Sequence, residues 1–326
     1  MRTLFALVLV AALAAGGWIA WGVYTPLAPP AHQSVLLRSG YSTRRIALEL
    51  KKAGVIRSVF AFRVWNELHP KLSLKAGEYL FEHAASVPEV YDRIARGDIY
   101  FHEVTIPEGY TMFDIAEAMQ EAGLGPADEF LKLARTRTDL ITDLAPEAKS
   151  LEGYLFPNTY QFTRTQSREE MIGAMVHQFR QVAQQIGLTA DVHRVVTMAA
   201  IVEKETASPD ERPRVASVYY NRLAHRMALD ADPSVIYAHL LAGDYSGSLH
   251  HADLRVDSPY NTYRFPGLPP GPIANPGQGA LTAAMHPADT PYFYFVSDGA
   301  GHHRFARDLT EHNRNVAAYR RALGMH

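Results

Sequence analysis

The chain of 326 residues contains no cysteine and no large excess of charge of either sign. The absence of cysteine excludes disulfides and thiolate zinc ligands, although an extracytoplasmic protein can fold without either. Lys and Arg number 32 against 34 Asp and Glu, so no basic surface indicates a nucleic-acid partner. Apolar residues make up 47% of the chain, which is typical of a folded protein, and its length supports one large or two modest domains.

Signature motifs of several enzyme classes are also missing. The sequence has no GxSxG nucleophile motif, no phosphate-binding P-loop and no HExxH zinc motif. Its fifteen histidines include pairs at 250–251 and 302–303, but none has the spacing of metal ligands. We therefore predict neither a metal site nor a cofactor, and a metal-dependent hydrolase is the weakest alternative.

One long uncharged run is present at 4–24, LFALVLVAALAAGGWIAWGVY, and about 20 apolar residues span a bilayer as a helix. Arg2 precedes it and the next basic residue is Arg38, which predicts a cytoplasmic N-terminus. The alternative is a cleaved signal peptide with a small-residue site at 12–15. We favour the anchor because the run continues past that site through Trp21. Both alternatives predict that the rest of the chain lies outside the cytoplasm.

The chain divides into predicted segments that differ in composition and in apolar pattern. The Pro-rich stretch 26–35 predicts a linker that holds the rest away from the membrane. Segments 40–55 and 109–124 resemble each other, each with a Ser or Thr cap, apolar residues at helical spacing and a C-terminal Gly. Strands are predicted within 74–81, 101–109 and 291–298. Helices are predicted over 167–186, 191–207, 210–227 and 232–243, and a long loop over 260–277. The helix over 210–227 is predicted to be capped by Asp210, with Pro213 in its first turn.

Two glutamates, Glu203 and Glu205, end the small apolar segment AAIVEKETA. Residues two apart on an α-helix point about 200° apart, so they cannot share a face. Glu205 continues the bulkier apolar stripe, which is the stripe expected to face the protein, and a carboxyl among apolar groups has a raised pKa. We therefore favour Glu205 as a general acid. The alternative is that both acids are solvated at a frayed helix end.

A glycoside hydrolase would pair such an acid with a second carboxylate, and Asp232 in LDADPSVIY is the candidate. An Asp before Pro at a helix start equally predicts an N-cap. Aromatic and amide side chains suit sugar recognition, but they also occur as satisfied buried groups. The candidate substrate-binding residues are Asn221, Asp232, Tyr237, Asn261, Thr262 and Tyr263.

Several ordered stretches are together similar to one family. They are MAAIVEKETASPDERPRVASVYYNRL, LDADPSVIY, SPYNTYRFPGLPPGPIANPG and GALTAAMHPADTPYFYFVSDGAGHHRFARDLTEHN. The set resembles the YceG-like family of endolytic murein transglycosylases. LEGYLFPNTY, the KAGEY segment and the apolar N-terminal run extend the resemblance over nearly the whole chain.

The resemblance implies an α+β protein with a transmembrane anchor over 1–25, a LysM-like subdomain over 36–105 and a larger mixed catalytic domain over 106–326. It implies cleavage of the MurNAc–GlcNAc β-1,4 bond within glycan strands, leaving 1,6-anhydro-MurNAc ends. The family's catalytic glutamate is the second acid of EKET, which falls on Glu205. The implied partners are peptidoglycan glycan strands, the inner membrane and peptidoglycan synthases, with the bulk of a single-pass chain in the periplasm.

One position departs from the family pattern. Its members commonly carry Gln-x-Asp-Pro where this chain has DADP, so Asp230 stands in the Gln position and could alter sugar contacts. Two other functions also stay open: a non-catalytic peptidoglycan-binding scaffold, and a hydrolase that uses both Glu205 and Asp232.

Overall fold

The computed structural model describes residues 1–30, 33–70 and 72–324, and these form a mixed α+β structure, as predicted. The chain forms two compact units, Met1–Glu103 with Gln161–Ser167, and Val104–Tyr160 with Arg168–His326. The domain boundaries at 25, 35 and 105 stay predictions. Two residues of the predicted linker, Ala31 and His32, lie outside the described residues.

The first unit combines a long N-terminal helix with short helices around a two-stranded sheet. Its elements are α1 (Arg2–Tyr24), β1 (Gln33–Leu37), α2 (Thr43–Lys52), α3 (Val59–Leu68), β2 (Gly77–Phe81) and α4 (Val87–Arg96). β1 and β2 are antiparallel, with Gln33 opposite Phe81. Apolar side chains from these elements form one buried core, which includes Leu37, Leu50, Phe62, Tyr79, Tyr91 and Ile94.

The segment directly after α1 is bonded to the first unit. α1 has the length and apolar composition that crossing a membrane requires. Directly after it, the carbonyl of Pro26 accepts a hydrogen bond from the Arg57 guanidinium at 2.9 Å, and Leu27 pairs with Ala85 through backbone hydrogen bonds. Residues 26 and 27 therefore have hydrogen-bond partners in the first unit, and the linker over 26–35 stays a prediction.

The second unit is mainly helical and contains both glutamates. The elements from β3 onward are β3 (His102–Thr105), α5 (Met112–Glu121), α6 (Ala127–Thr136), β4 (Thr159–Phe162), α7 (Arg168–Gln185), α8 (Val192–Glu205), α9 (Arg212–Ala224), α10 (Asp232–Ala242), α11 (Gln278–Met285), β5 (Tyr294–Ser297), β6 (His303–Ala306) and α12 (Leu309–Ala322). Two residues of β3, 102–103, and two of β4, 161–162, belong to the first unit. β3 pairs with β4, and β5 with β6 as an antiparallel hairpin. α8 packs against α9, α10 and α11, which places it at the centre of the unit.

The two similar segments fold alike, as their sequences predict. Ser42 caps α2 by accepting from the Arg45 amide, and Thr111 caps α5. After each helix a glycine, Gly54 or Gly123, takes a positive φ of 72° or 71°. Glycine adopts this left-handed conformation without the steric cost of a side chain, which explains its place at both helix ends.

The start of α9 differs from the prediction. Asp210 does not cap it; the helix begins at Arg212, Glu211 occupies the cap position, and no side chain makes a capping bond. The Glu211 carboxylate is instead bonded to the backbone and ring of His303 on β6. Pro213 lies in the first turn, where its missing N–H costs nothing, as expected.

Candidate functional site

α8 brings Glu203 and Glu205 into the interior of the second unit. Its middle section, residues 196–202, is buried on every side. The apolar residues on the Glu203 side and on the Glu205 side of α8 are therefore both buried. The prediction that only the Glu205 side faces the protein is wrong. What distinguishes the two acids is the chemistry around each carboxylate.

Glu203 is held in a buried ion pair. Its side chain is only 5% exposed, one oxygen accepts from Arg212 at 2.8 Å, and the other accepts from the backbone N–H of Gly277 at 3.0 Å. Arg212 also reaches Glu108 at 3.2 Å. Because these contacts join α8 to the starts of α9 and α11, the geometry gives Glu203 a structural role.

Glu205 lies in a cleft of about 370 Å³. Its Oε1 accepts a hydrogen bond of 2.7 Å from the Tyr219 hydroxyl. Desolvation by the surrounding protein raises the pKa of Glu205 to about 7; Tyr219 opposes the rise and the nearby Asp232 charge adds to it. A carboxyl with a pKa near neutrality can both give and take back a proton. The alternative of two solvated acids at a frayed end is therefore wrong.

Several elements of the second unit contribute to this cleft: α8, α9, α10, α12, β5 and the segment before α10. The lining residues are Glu205, Tyr219, Arg222, Leu229, Asp230, Asp232, Tyr294, Phe295, Leu309 and His312. The cleft thus combines carboxylates, one guanidinium and aromatic faces, which are groups that suit a polar, ring-shaped ligand.

Arg222 supplies a guanidinium to the cleft and is not among the residues predicted from the sequence. Its Nε donates to the Phe293 carbonyl at 2.7 Å, and its Nη1 donates to Asp230 at 3.1 Å. The guanidinium also lies over the Tyr294 ring, 5.2 Å from the ring centre. Arg222 follows Tyr219 by three positions, so one face of α9 carries both groups, and this spacing in YYNRL was the available signal.

Of the predicted binding residues, Asp232 lines the cleft, and Tyr263 is bonded to Asp232 without being among the lining residues. The Tyr263 hydroxyl donates to Asp232 at 2.6 Å. Asp232 is the first residue of α10 and Ala231 holds the cap position, so Asp232 is not an N-cap. Asp230 has a positive φ of 50°, which Asp tolerates better than most residues, and its carboxylate pairs with Arg222.

Three other predicted sugar contacts are used within the protein. Asn221 donates to two backbone carbonyls just before β5, at 2.8 and 2.9 Å. The buried amide of Asn261 donates to two carbonyls of its own loop at 3.0 and 2.9 Å. The Thr262 hydroxyl accepts from the Ala231 amide at 3.0 Å. These side chains are not among those that line the cleft, but they fix the segments that do.

Tyr237 is buried beside a second acid, Glu152, and does not line the cleft either. Glu152 accepts from the Met112 backbone N–H at 3.0 Å and from the Asn275 amide at 2.7 Å. Burial raises the pKa of Glu152 to about 8, against the lowering effect of Met112 and Tyr237. This network ties α10 to the start of α5 and to the loop before α11.

The histidine pairs do not gather into a metal site in the part of the chain that the structure describes, where no group of three or more His, Asp or Glu could hold an ion. His303 instead places its Nδ1 2.7 Å from Glu211. Burial would raise the pKa of Glu211, but the hydrogen bonds from His303 lower it below its usual value. This bonding fastens β6 to the start of α9.

Two substitutions should move the pKa of Glu205 in opposite directions. Tyr219→Phe removes a hydrogen bond to the charged form, so the pKa should rise; Asp232→Asn removes a neighbouring negative charge, so it should fall. The measurement is a pH titration of the ¹³C-labelled glutamate carboxyls by NMR. Tyr220→Phe is the matched control, because that hydroxyl bonds to the Ala284 carbonyl and should leave Glu205 unchanged. A fall with Tyr219→Phe would contradict the assigned geometry.

Comparison with known proteins identifies the family to which the chain belongs. The model of the YceG-like family matches residues 35–318, so the chain belongs to the YceG-like family, and the resemblance inferred from its motifs is confirmed. A crystal structure of a yceG-like protein from Listeria monocytogenes shares its fold, with a TM-score of 0.58 and 32% identity. That match covers 86% of this chain and 97% of the Listeria chain.

Two relatives carry a functional name. An endolytic murein transglycosylase of Bacillus subtilis is 33% identical over 306 residues, covering 88% of this chain and 84% of the relative. One of Streptococcus pneumoniae is 29% identical over 354 residues, covering 96% of this chain and 64% of the relative.

Proposed function

We propose that the chain is a peptidoglycan lytic transglycosylase that α1 anchors in a membrane. Its family and the names of its relatives support this class. The observation that carries the proposal is Glu205, a carboxyl with a pKa near 7 on the wall of a cleft that has room for a sugar.

The proposed reaction needs one group that acts first as an acid and then as a base. Protonated Glu205 gives its proton to the oxygen of the MurNAc–GlcNAc β-1,4 bond as that bond breaks. The C6 hydroxyl of the same MurNAc attacks the anomeric carbon, and the Glu205 carboxylate accepts its proton. The product is a 1,6-anhydro-MurNAc end, and since no water is activated, no second catalytic carboxylate is required.

The remaining cleft residues would bind the sugar and stabilise the positive charge that develops at the anomeric carbon. We assign Asp232 and Tyr263 to substrate binding, because Asp232 lines the cleft and its carboxylate accepts a hydrogen bond from the Tyr263 hydroxyl. The carboxylate of Asp232 has the right sign to stabilise an oxocarbenium-like centre. Asn221, Tyr237, Asn261 and Thr262 would act by holding the surrounding segments in place.

The further organisation is proposed on family resemblance. The N-terminus would lie in the cytoplasm, with a LysM-like subdomain over 36–105 and the catalytic domain over 106–326 in the periplasm. Partners would be the glycan strands of peptidoglycan and peptidoglycan synthases at the membrane.

Mass spectrometry of products from purified glycan strands tests the proposed function. Anhydro-MurNAc ends from internal cleavage are expected. Reducing ends would indicate a hydrolase and direct attention to Asp232, which lines the same cleft. Binding of strands without cleavage would instead support a scaffold.

A further inference from the structure

The last turns of α1 pack against α3. A Cβ at Gly22 would lie 3.3 Å from the Cβ of Ala61, which is closer than most Cβ contacts, so the two helices approach each other closely here. The Trp21 ring lies under the Arg57 guanidinium at 5.1 Å, and Tyr24 meets the edge of Trp65 at 5.9 Å. The helix therefore enters the first unit directly and has no free segment between them.

The length of α1 sets the level of this contact relative to a bilayer. About 20 helical residues are needed to span the hydrocarbon core of a bilayer. The uncharged run begins at residue 4, so a span of this length extends to Tyr24, where α1 ends. Yet Ile19 already packs against the core of the first unit, and Gly22 and Val23 are buried. The unit's surface beside α1 must therefore lie at the depth of the lipid headgroups.

The orientation of α3 follows from its buried face. Ala61 faces α1, and Phe62 is fully buried in the core. Phe60 lies about 200° around the helix from Phe62, and its side chain is 52% exposed. Val64, one turn further on, shares the side of Phe60. α3 thus packs on the last turns of α1 and carries an exposed aromatic side chain on the face opposite the core.

We propose that α3 rests on the membrane at the leaflet where α1 ends, with Phe60 and Val64 in contact with lipid. Aromatic side chains favour this interface, and the exposed Trp18 and Trp21 of α1 lie at the same end. Arg63 and Glu67 are both exposed on α3, so the helix has no net charge and the proposed contact with lipid is apolar. The inference rests on the proposed role of α1 as a membrane anchor.

The cysteine-free chain allows a direct test with single-cysteine variants of the full protein. Phe60→Cys, Leu48→Cys and Leu9→Cys would each carry an environment-sensitive fluorophore, in vesicles of phosphatidylethanolamine and phosphatidylglycerol with spin-labelled quencher lipid. Leu48, on α2, is 44% exposed and is the matched control. We expect a blue-shifted emission and strong quenching at position 60, and neither at position 48.

The probe at position 9 separates this inference from the anchor. Quenching at position 9 together with a water-like signal at position 60 would overturn the docking of α3 and leave the anchor intact. Loss of quenching at position 9 would overturn the anchor and the docking with it. Equal quenching at positions 60 and 48 would show non-specific adhesion of the unit, which also contradicts the proposal.

Discussion

Replacing Glu205 with glutamine should lower the rate of glycan cleavage by roughly 10²–10⁴-fold, the usual contribution of a general acid–base group. The amide has nearly the shape of the carboxyl but can neither protonate the leaving oxygen nor accept the C6 proton. Tyr219 can still donate to the amide oxygen, so the cleft should keep its form. The measurement is the rate of appearance of anhydro-MurNAc ends, with strand binding measured separately.

Glu203→Gln is the matched control, two residues away on the same helix. It removes the charge partner of Arg212 but no group of the cleft, so the rate per folded molecule should stay near that of the wild type. A folded Glu203→Gln protein that loses cleavage while Glu205→Gln keeps it would reverse the assignment of the two acids.

Arg212→Met should lower the free energy of unfolding by about 3–5 kcal/mol, because it leaves the Glu203 charge buried without its partner. The remaining hydrogen bond from Gly277 compensates only part of this loss. Denaturant unfolding of the full chain in detergent, followed by circular dichroism, measures the change.

Two further variants separate charge from packing. Arg214→Met removes a neighbouring arginine that is 43% exposed, so it should change the free energy of unfolding by less than about 1 kcal/mol. The double variant Arg212→Met with Glu203→Met replaces the pair by apolar groups and should recover most of the loss. If Arg212→Met cost no more than Arg214→Met, the buried pair would have no structural role.

Local sequence signals predicted the helices well because their causes are local. A capping Ser42 or Thr111 and a terminal Gly54 or Gly123 act within a few residues of each other, so the pattern can be read directly. The cap predicted at Asp210 was wrong, because the bonding of the neighbouring Glu211 to His303 depends on a strand 92 residues away.

The composition of the cleft could be predicted only in part. The EKET motif identified Glu205. The position of Glu205 around the helix does not distinguish it from Glu203, because both faces of α8 are buried. Tyr219 and Arg222 were missed because their place at the cleft depends on how α9 packs against the β5–β6 hairpin. Polarity alone could not show that the Asn261 amide donates its hydrogen bonds to carbonyls of its own loop.

The β5–β6 hairpin also has a consequence for behaviour on heating. Its strands are four residues long. Glu211 at the start of α9 bonds to His303 of β6, and Asn221 and Arg222 bond to the segment just before β5. Short peripheral elements open at a lower free energy than a unit's core. We therefore expect cleavage to fail at a temperature below that at which the helical signal is lost, with the backbone amides of β5 and β6 exchanging with solvent before those of α8. The hairpin, rather than the core of the unit, would then set the upper temperature limit of the cleft.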